Sequence, residues 1–449
     1  MMDDRHPDIL IVGLGPGAPL YRTVAARAAL EESRVLFLRS ADHPGMDDLV
    51  ARPGTVILDR KVADIPGGGK DWAAAATILC DTAAKEPVVL SVPGHPRFGE
   101  RLVIESLAEA GRRDLSVEII DGLSAIDLIA TSLNIDPVVD DVQIIDAAQV
   151  VRKIDDGPFN GGLFPFTPLR PMLFSRVYGN PVARPLSAIL QRLFPADHPA
   201  TIVTAAGIPE SARTETTTIA GLAETDPDRF SSLWIPALPE MEAYRDPRTQ
   251  QHITALLRAP GGCPWDRKQT HASLRDTILD EAYEVVDAID SGDIANLAEE
   301  LGDLFLLICL HAQIAEENGE FTLEDVYEGI ATKIIRRHPH VFGDATAESP
   351  DELAAIWAGV KAQEKREEPA KPDKAADGQP HSMPALVRAP RVLAKHPVNA
   401  APTGSTPDAR SRALLDAVAA IVAAGDDPDQ VLRDALVDHV TNKTGMPRT

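Results

Sequence analysis

Cysteine is nearly absent from this chain of 449 residues: Cys80, Cys263 and Cys309 are the three, an odd number, far apart and without C-x-x-C spacing. That excludes a disulfide framework and a cysteine-based zinc site, and it fits a reducing cytoplasm. Aromatic residues reach only 4%, so aliphatic, alanine-rich cores are predicted. No run approaches the roughly 18 consecutive apolar residues that a spanning helix needs. The N-terminal Met-Met-Asp-Asp-Arg-His-Pro-Asp has neither the basic start nor the apolar stretch of a secretory leader. Positive charge is short as well: 44 Lys plus Arg stand against 68 Asp plus Glu, a formal net charge of -24. A surface of that sign does not grip nucleic-acid phosphates. A cytoplasmic protein with neither membrane nor nucleic acid as partner is the expectation.

What is present is ordinary globular material, enough for about three domains. From Asp8 to about Trp234, β-branched runs at Ile9 to Val12, Val35 to Leu38, Val88 to Val92, Val117 to Ile120, Gln143 to Ile145, Leu173 to Val177 and Thr201 to Thr204 alternate with helical periodicity, as at Asp71 to Ala84 and Gly99 to Ala110. That alternation predicts an α/β domain over 8–238 with a largely parallel sheet, and its length leaves room for two lobes, the two-lobed form being what the family resemblance given below implies. After Pro239 the pattern turns helical, and 244–363 reads as a compact all-α bundle. The stretch 364–381 is charge, Ala and Pro and reads as a linker. The tail, 382–449, repeats the rhythm of the bundle from Leu304 to Ile334 but contains no glutamate, so packing, capping or dimer contacts are expected of it.

The bundle concentrates acid. Leu274, Ile278, Ala282, Val285 and Ile289 make one helical stripe, which leaves Asp280, Glu281 and Glu284 together beside it. The next helix, capped by Asp293 and closed by Gly319, turns Leu297, Leu301, Leu304 and Ile308 inward and carries Glu300 and Asp303 three apart. The short Ser291-Gly292 connection makes the two helices antiparallel neighbours, so Glu281, Glu284, Glu300 and Asp303 converge. Four such carboxylates repel one another without a cation, and an all-oxygen set suits Mg²⁺ or Mn²⁺. Downstream, Lys333 and Arg337 are four apart, as are Trp357 and Lys361. Carboxylates for a metal, cations for phosphate and a flat ring are what a nucleoside triphosphate site requires.

The segments Gly262-Cys-Pro-Trp-Asp, Gln269-Thr-His, Leu279-Asp-Glu-Ala-Tyr-Glu-Val, Glu300-Leu-Gly-Asp, Arg336-Arg-His-Pro-His-Val-Phe and Trp357-x-x-x-Lys361 resemble, in this order over about 120 residues, the MazG family of nucleoside triphosphate pyrophosphohydrolases. The resemblance implies cleavage between the α and β phosphates, giving a nucleoside monophosphate and pyrophosphate. Glu281, Glu284, Glu300 and Asp303 are then the catalytic metal ligands, while Lys333, Arg337, Trp357 and Lys361 meet the substrate. Asp280 departs from the family's glutamate.

In the amino-terminal region three strand ends run into small-residue loops: Gly13-Leu-Gly15-Pro-Gly17, Pro93-Gly94-His95 and Gly122-Leu-Ser124. G-x-G-x-G with Pro16 inside does not fit the dinucleotide fingerprint. The three loops in this order resemble the tetrapyrrole methylase family, and Leu38-Arg39-Ser-Ala-Asp-His43-Pro44 adds a likeness to fusions of the YabN type, in which that fold precedes a MazG domain. This implies an S-adenosylmethionine cleft at Gly13, Gly15, Gly17, Pro93, Gly94, His95, Gly122 and Ser124. Ala18 and His95 stand where the methylases carry aspartate, which argues against methyl transfer. The main expectation is a Mg²⁺-dependent pyrophosphohydrolase acting in nucleotide house-cleaning as a homodimer or higher oligomer. An S-adenosylmethionine-dependent methyltransferase and a nucleotide sensor without turnover are the alternatives.

Overall fold

The computed structural model describes residues 7–64, 70–155, 164–346, 349–367, 383–396 and 408–444. The chain divides into two compact units, Met1–Leu323 and Glu324–Thr449.

The first unit opens with β1 (Ile9–Gly13), α1 (Val24–Glu32), β2 (Leu36–Leu38), α2 (Asp47–Val50), β3 (Val56–Ile57), α3 (Trp72–Ala83), β4 (Val88–Val92), α4 (Arg101–Arg112) and β5 (Val117–Ile120). The strands form one sheet in the order β3-β2-β4-β1-β5, every pair parallel. β1 and β4 are buried almost throughout, as near-continuous apolar strands covered on both faces must be. Ile9, Ile11, Leu90 and Val92 pack against Leu79 and Cys80 of α3 and Leu102 and Val103 of α4. Val12, Leu36 and Leu38 pack with Ala26 and Leu30 of α1 and with Met46. Fully burying a side chain such as Leu79 stabilises by roughly 1.5–3 kcal/mol. Cys80 is one of these fillers, and burial pushes its thiol up to about 11.

A second sheet follows, built from α5 (Ala125–Leu133), β6 (Gln143–Asp146), α6 (Ala147–Asp155), β7 (Met172–Ser175), α7 (Asn180–Leu190), β8 (Pro199–Thr204), β9 (Arg213–Thr218) and β10 (Ser231–Ile235). Its order is β6-β7-β10-β8-β9. Here the expected parallel arrangement gives way: only β6 and β7 run parallel, and β10 and β9 pair antiparallel with their neighbours. β9 escapes sequence reading because Arg-Thr-Glu-Thr-Thr-Thr is a largely exposed edge strand without apolar alternation.

The same unit continues through α8 (Pro247–Arg258), α9 (Thr277–Ser291) and α10 (Ile294–Asn318). Asp246 starts α8: it accepts from the Arg248 amide at 2.9 Å, its carboxylate is bound by the Arg248 guanidinium, and Thr167 Oγ1 donates to it at 3.1 Å from the α/β region. Asp293 caps α10 by accepting from the amides of Ala295 and Asn296, and Gly292 and Gly319 close α9 and α10 in the left-handed conformation. The apolar stripe differs from expectation. Ala288 is buried in place of Ile289, which is 56% exposed, and α10 turns Leu307, Leu310 and Ile314 inward while Leu301 and Ile308 face out. Leu274, in the turn before α9, sets this: it packs on Leu307, Leu310 and Ile314, so the 3.6-residue period rotates Leu301 and Ile308 away.

The second unit holds α11 (Leu323–Arg337, which begins at the boundary), α12 (Pro339–Phe342), α13 (Pro350–Glu367), α14 (Ala385–Lys395), α15 (Ala409–Ala424) and α16 (Pro428–Thr444). The expected linker 364–381 begins too early, because α13 runs to Glu367 and Glu364 is buried on it; 368–381 lies outside the described residues. In the tail Asp408 caps α15 and Gly425 ends it in the left-handed region, as Asp293 and Gly319 do for α10. No helix among the described residues is long and apolar enough to cross a membrane.

Candidate metal and nucleotide site

Glu281 and Glu284 sit three apart on α9, Glu300 on the antiparallel α10, and one oxygen of each lies within 4.8 Å of the others. Burial, then repulsion from Glu284, Asp303 and Asp280, holds the Glu281 carboxyl above the ordinary carboxylate range. Glu300 is raised likewise, by burial first and then by its hydrogen bond to Glu284 and the surrounding charges. Carboxyls crowded this closely repel one another, and a hard divalent cation would relieve that repulsion. Asp303 is placed differently from its three companions. It acts on Glu281 and Glu300 through charge, yet it stands outside the close trio and lines a neighbouring cavity of about 460 Å³.

The expected substrate residues belong to the second unit. Lys333 is exposed on α11. Arg337 does not stand ready for phosphate, because its guanidinium is bound to Glu364 of α13. Trp357 on α13 is 38% exposed and meets the His338 ring edge-on at 6.0 Å. Lys361 lies on α13, its side chain outside the described ones.

The three glycine-rich loops do come together at the strand ends of the first sheet. Gly15 and Gly94 exchange backbone hydrogen bonds of 3.2 and 2.8 Å. A Cβ on Gly122 would stand 2.5 Å from the Gly94 carbonyl and 2.8 Å from Gly13, so no larger residue fits. Gly17 turns at φ +147 against Ile208, and Pro93 leads out of β4. His95 Nδ1 accepts from the Arg97 amide at 3.0 Å, which leaves Nε2 to donate towards Asp121 at 3.3 Å. Ser124 is engaged in a capping box with Asp127 at the start of α5.

Two features went unread in the sequence. His271 and His311 stack with ring centroids 5.1 Å apart and Nδ1 atoms 2.7 Å apart, a pair joining the segment before α9 to α10. Residues 244–250 form a wall of the cavity beside Asp303. Asp246-Pro247 was a legible signal for that wall, since an acidic N-cap followed by proline marks a helix start.

Two family models match the chain. Residues 8–223 match Tetrapyrrole (Corrin/Porphyrin) Methylases, and residues 269–342 match the MazG nucleotide pyrophosphohydrolase domain. The YabN protein of Bacillus subtilis is 33% identical over 393 residues, which are 86% of this chain and 76% of that protein. The nucleoside triphosphate pyrophosphohydrolase/pyrophosphatase MazG of Thermotoga maritima is 51% identical over 113 residues, 25% of this chain and 43% of that one. The nucleoside triphosphate pyrophosphohydrolase of Escherichia coli K12 is 43% identical over 141 residues, 31% of this chain and 53% of that one. The match thus spans about half the length of those two enzymes. Among solved structures, the uroporphyrin III C-methyltransferase of Thermus thermophilus is 18% identical, with a TM-score of 0.37 over 51% of this chain and 91% of that one.

Proposed function

Because the chain belongs to the family of YabN, in which a tetrapyrrole methylase domain precedes a MazG domain, we propose that it hydrolyses nucleoside triphosphates to a nucleoside monophosphate and pyrophosphate, in nucleotide house-cleaning. The observation that carries the reading is the trio Glu281, Glu284 and Glu300, whose oxygens come within 4.8 Å across two helices. With Asp303 beside them, these residues would hold Mg²⁺, or Mn²⁺. Bound there, such an ion neutralises phosphate charge and lowers the pKa of an attacking water.

The chain's own residues supply the rest. Burial and crowding hold Glu281 and Glu300 above the ordinary carboxylate range, a repulsion that a bound cation would relieve. Lys333 and Lys361 would offer charge to phosphate oxygens, Arg337 would join them once released from Glu364, and Trp357 would offer a ring. Leu279, Tyr283 and Val286 on α9, with Ile294, Leu301 and Ile308 on α10, leave an exposed apolar stripe along both helices. That stripe supports a homodimer or higher oligomer. The three unpaired cysteines support a reducing cytoplasm.

For the amino-terminal region, the convergence of Gly13, Gly94 and Gly122 favours a second, separate reading: the strand-end loops bind S-adenosylmethionine without transferring its methyl group. Titration of the ligand into the full chain by calorimetry tests that. For hydrolysis, the deciding experiment separates pyrophosphate from orthophosphate after incubation with standard and damaged triphosphates plus Mg²⁺. Pyrophosphate with monophosphate, lost in Glu281→Gln, is the expected result. Tight nucleotide binding with no product would replace hydrolysis by a sensor role.

A further inference from the structure

Asp303 faces two ways. Its charge reaches Glu281 and Glu300, and it also lines the cavity of about 460 Å³. That volume falls within the roughly 300–1,000 Å³ of small-ligand sites. One wall is α10, where Gly302 presents bare backbone: a Cβ there would meet nothing within 4 Å, so packing does not demand the glycine. A glycine inside a helix costs roughly 0.5–1 kcal/mol relative to alanine, and here its effect is to widen the cavity. Phe305 of α10 lines it as well, as do Tyr244 and Gln250 from the segment that opens α8. Two rings and an amide suit a planar heterocycle with donors and acceptors on its edge.

Resting on the hydrolase reading above, we propose that this cavity is the nucleoside pocket. The phosphates lie at the carboxylate trio, the sugar passes Asp303, and the base enters between Tyr244 and Phe305, its edge met by Gln250. The wall at 244–250 is fastened to the methylase-like domain, since the Arg245 guanidinium donates to the Gln191 carbonyl and Thr167 Oγ1 donates to Asp246 at 3.1 Å. The amino-terminal domain therefore contributes to base selection by holding one side of the pocket.

The test is steady-state kinetics of the full-length protein with a panel of nucleoside triphosphates and Mg²⁺, comparing Tyr244→Ala, Gln250→Ala and Trp357→Ala. Tyr244 is 77% exposed, so its truncation leaves the fold intact. Base stacking is worth about 1–3 kcal/mol, which predicts KM rising roughly 5- to 160-fold in Tyr244→Ala with kcat nearly unchanged. In Gln250→Ala the ranking of bases changes. Wild-type KM and ranking in both variants, or a change confined to Trp357→Ala, overturns the pocket. A wild-type protein that makes no monophosphate fails the hydrolase reading instead. Calorimetry with nucleoside monophosphates then decides the pocket alone: weaker binding in Tyr244→Ala supports it, and equal binding or none overturns it.

Discussion

Arg337 Nη2 donates to Glu364 Oε2 at 2.6 Å, tying α11 to α13. Arg336 bonds the other oxygen, with Nε at 2.9 Å from Oε1. The Arg337 hydrogen bond, followed by the Arg336 bond and both charges, pulls the Glu364 carboxyl down to about 2. A carboxyl lowered in the fold stabilises it at pH values above the ordinary carboxylate range, and the contribution is lost as the pH falls through about 2. The pair therefore holds across the whole physiological range, and a phosphate group that is to reach Arg337 would have to displace Glu364.

Glu364→Gln is expected to lower the thermal midpoint at pH 7 and to lower KM for the triphosphate several-fold, since Arg337 is released to the substrate. Melting curves and initial rates check the two halves. A raised KM would mean that Glu364 positions Arg337 for phosphate.

Much of this was legible beforehand, and what was not has identifiable causes. Asp293 and Gly319 delimited α10 correctly because a cap and a left-handed stop act locally. Glu281, Glu284 and Glu300 were placed together by helix periodicity plus a short turn. Glu364 was misplaced in a linker because Ala, Lys and Glu make both linkers and exposed helices; its partners lie 27 and 28 residues back. The cavity beside Asp303 was invisible because residues 244–250 and α10 meet only in the folded chain.

Glu281→Gln and Asp303→Asn delete a charge with little change in shape. Turnover is expected to fall at least about 100-fold in each, the upper end of what outer-shell changes cost at metal sites. Glu281 and Glu300 are raised, so the folded chain keeps protons that the unfolded chain releases. Stability without a cation accordingly falls as the pH rises through and above the ordinary carboxylate range. Mg²⁺ should remove that slope in the wild type and leave it unchanged in Glu281→Gln, which melting curves between pH 5 and 8 will show. Full activity in both variants would sink the metal assignment.

His43 gives the opposite slope. It is lowered to about 4 by burial, despite its hydrogen bond to the Pro44 carbonyl, and its ring meets Phe230 edge-on at 5.8 Å. The unfolded chain takes up the proton near the ordinary histidine value while the folded chain refuses it, so stability is lost as the pH falls from about 6.5 towards 4. The loss attributable to this residue is at most about 3 kcal/mol. Urea unfolding of wild type and His43→Asn at pH 7 and pH 5 measures it. Equal pH dependence in the two would remove His43 as the cause.

Asp246→Ala removes the α8 cap, the Arg248 pair and the acceptor of Thr167 in a residue only 3% exposed. A lost cap and a buried hydroxyl left without its acceptor together cost about 2–4 kcal/mol. Thr167→Val, which removes the hydroxyl donor but leaves Asp246 its bonds to Arg248, should cost less. Chemical denaturation of the two variants gives the comparison, and equal midpoints for Asp246→Ala and wild type would contradict the anchoring role.

Ending the chain at Glu368 removes α14, α15 and α16 and is expected to leave kcat within about two-fold, a change of well under 1 kcal/mol in the barrier. The reasoning is chemical. α15 and α16 reproduce the cap and stop of α10 with Asp408 and Gly425, but no glutamate follows Glu368 anywhere in the sequence. A copy without those side chains cannot supply the trio. Its apolar residues, Leu414, Leu432 and Leu436 among them, are exposed, so packing or assembly is the role left to it. Rates and size-exclusion profiles of the shortened chain separate the cases. Retained kcat with a smaller assembly assigns the tail to oligomer contacts, while loss of turnover at unchanged assembly would make it part of the active site.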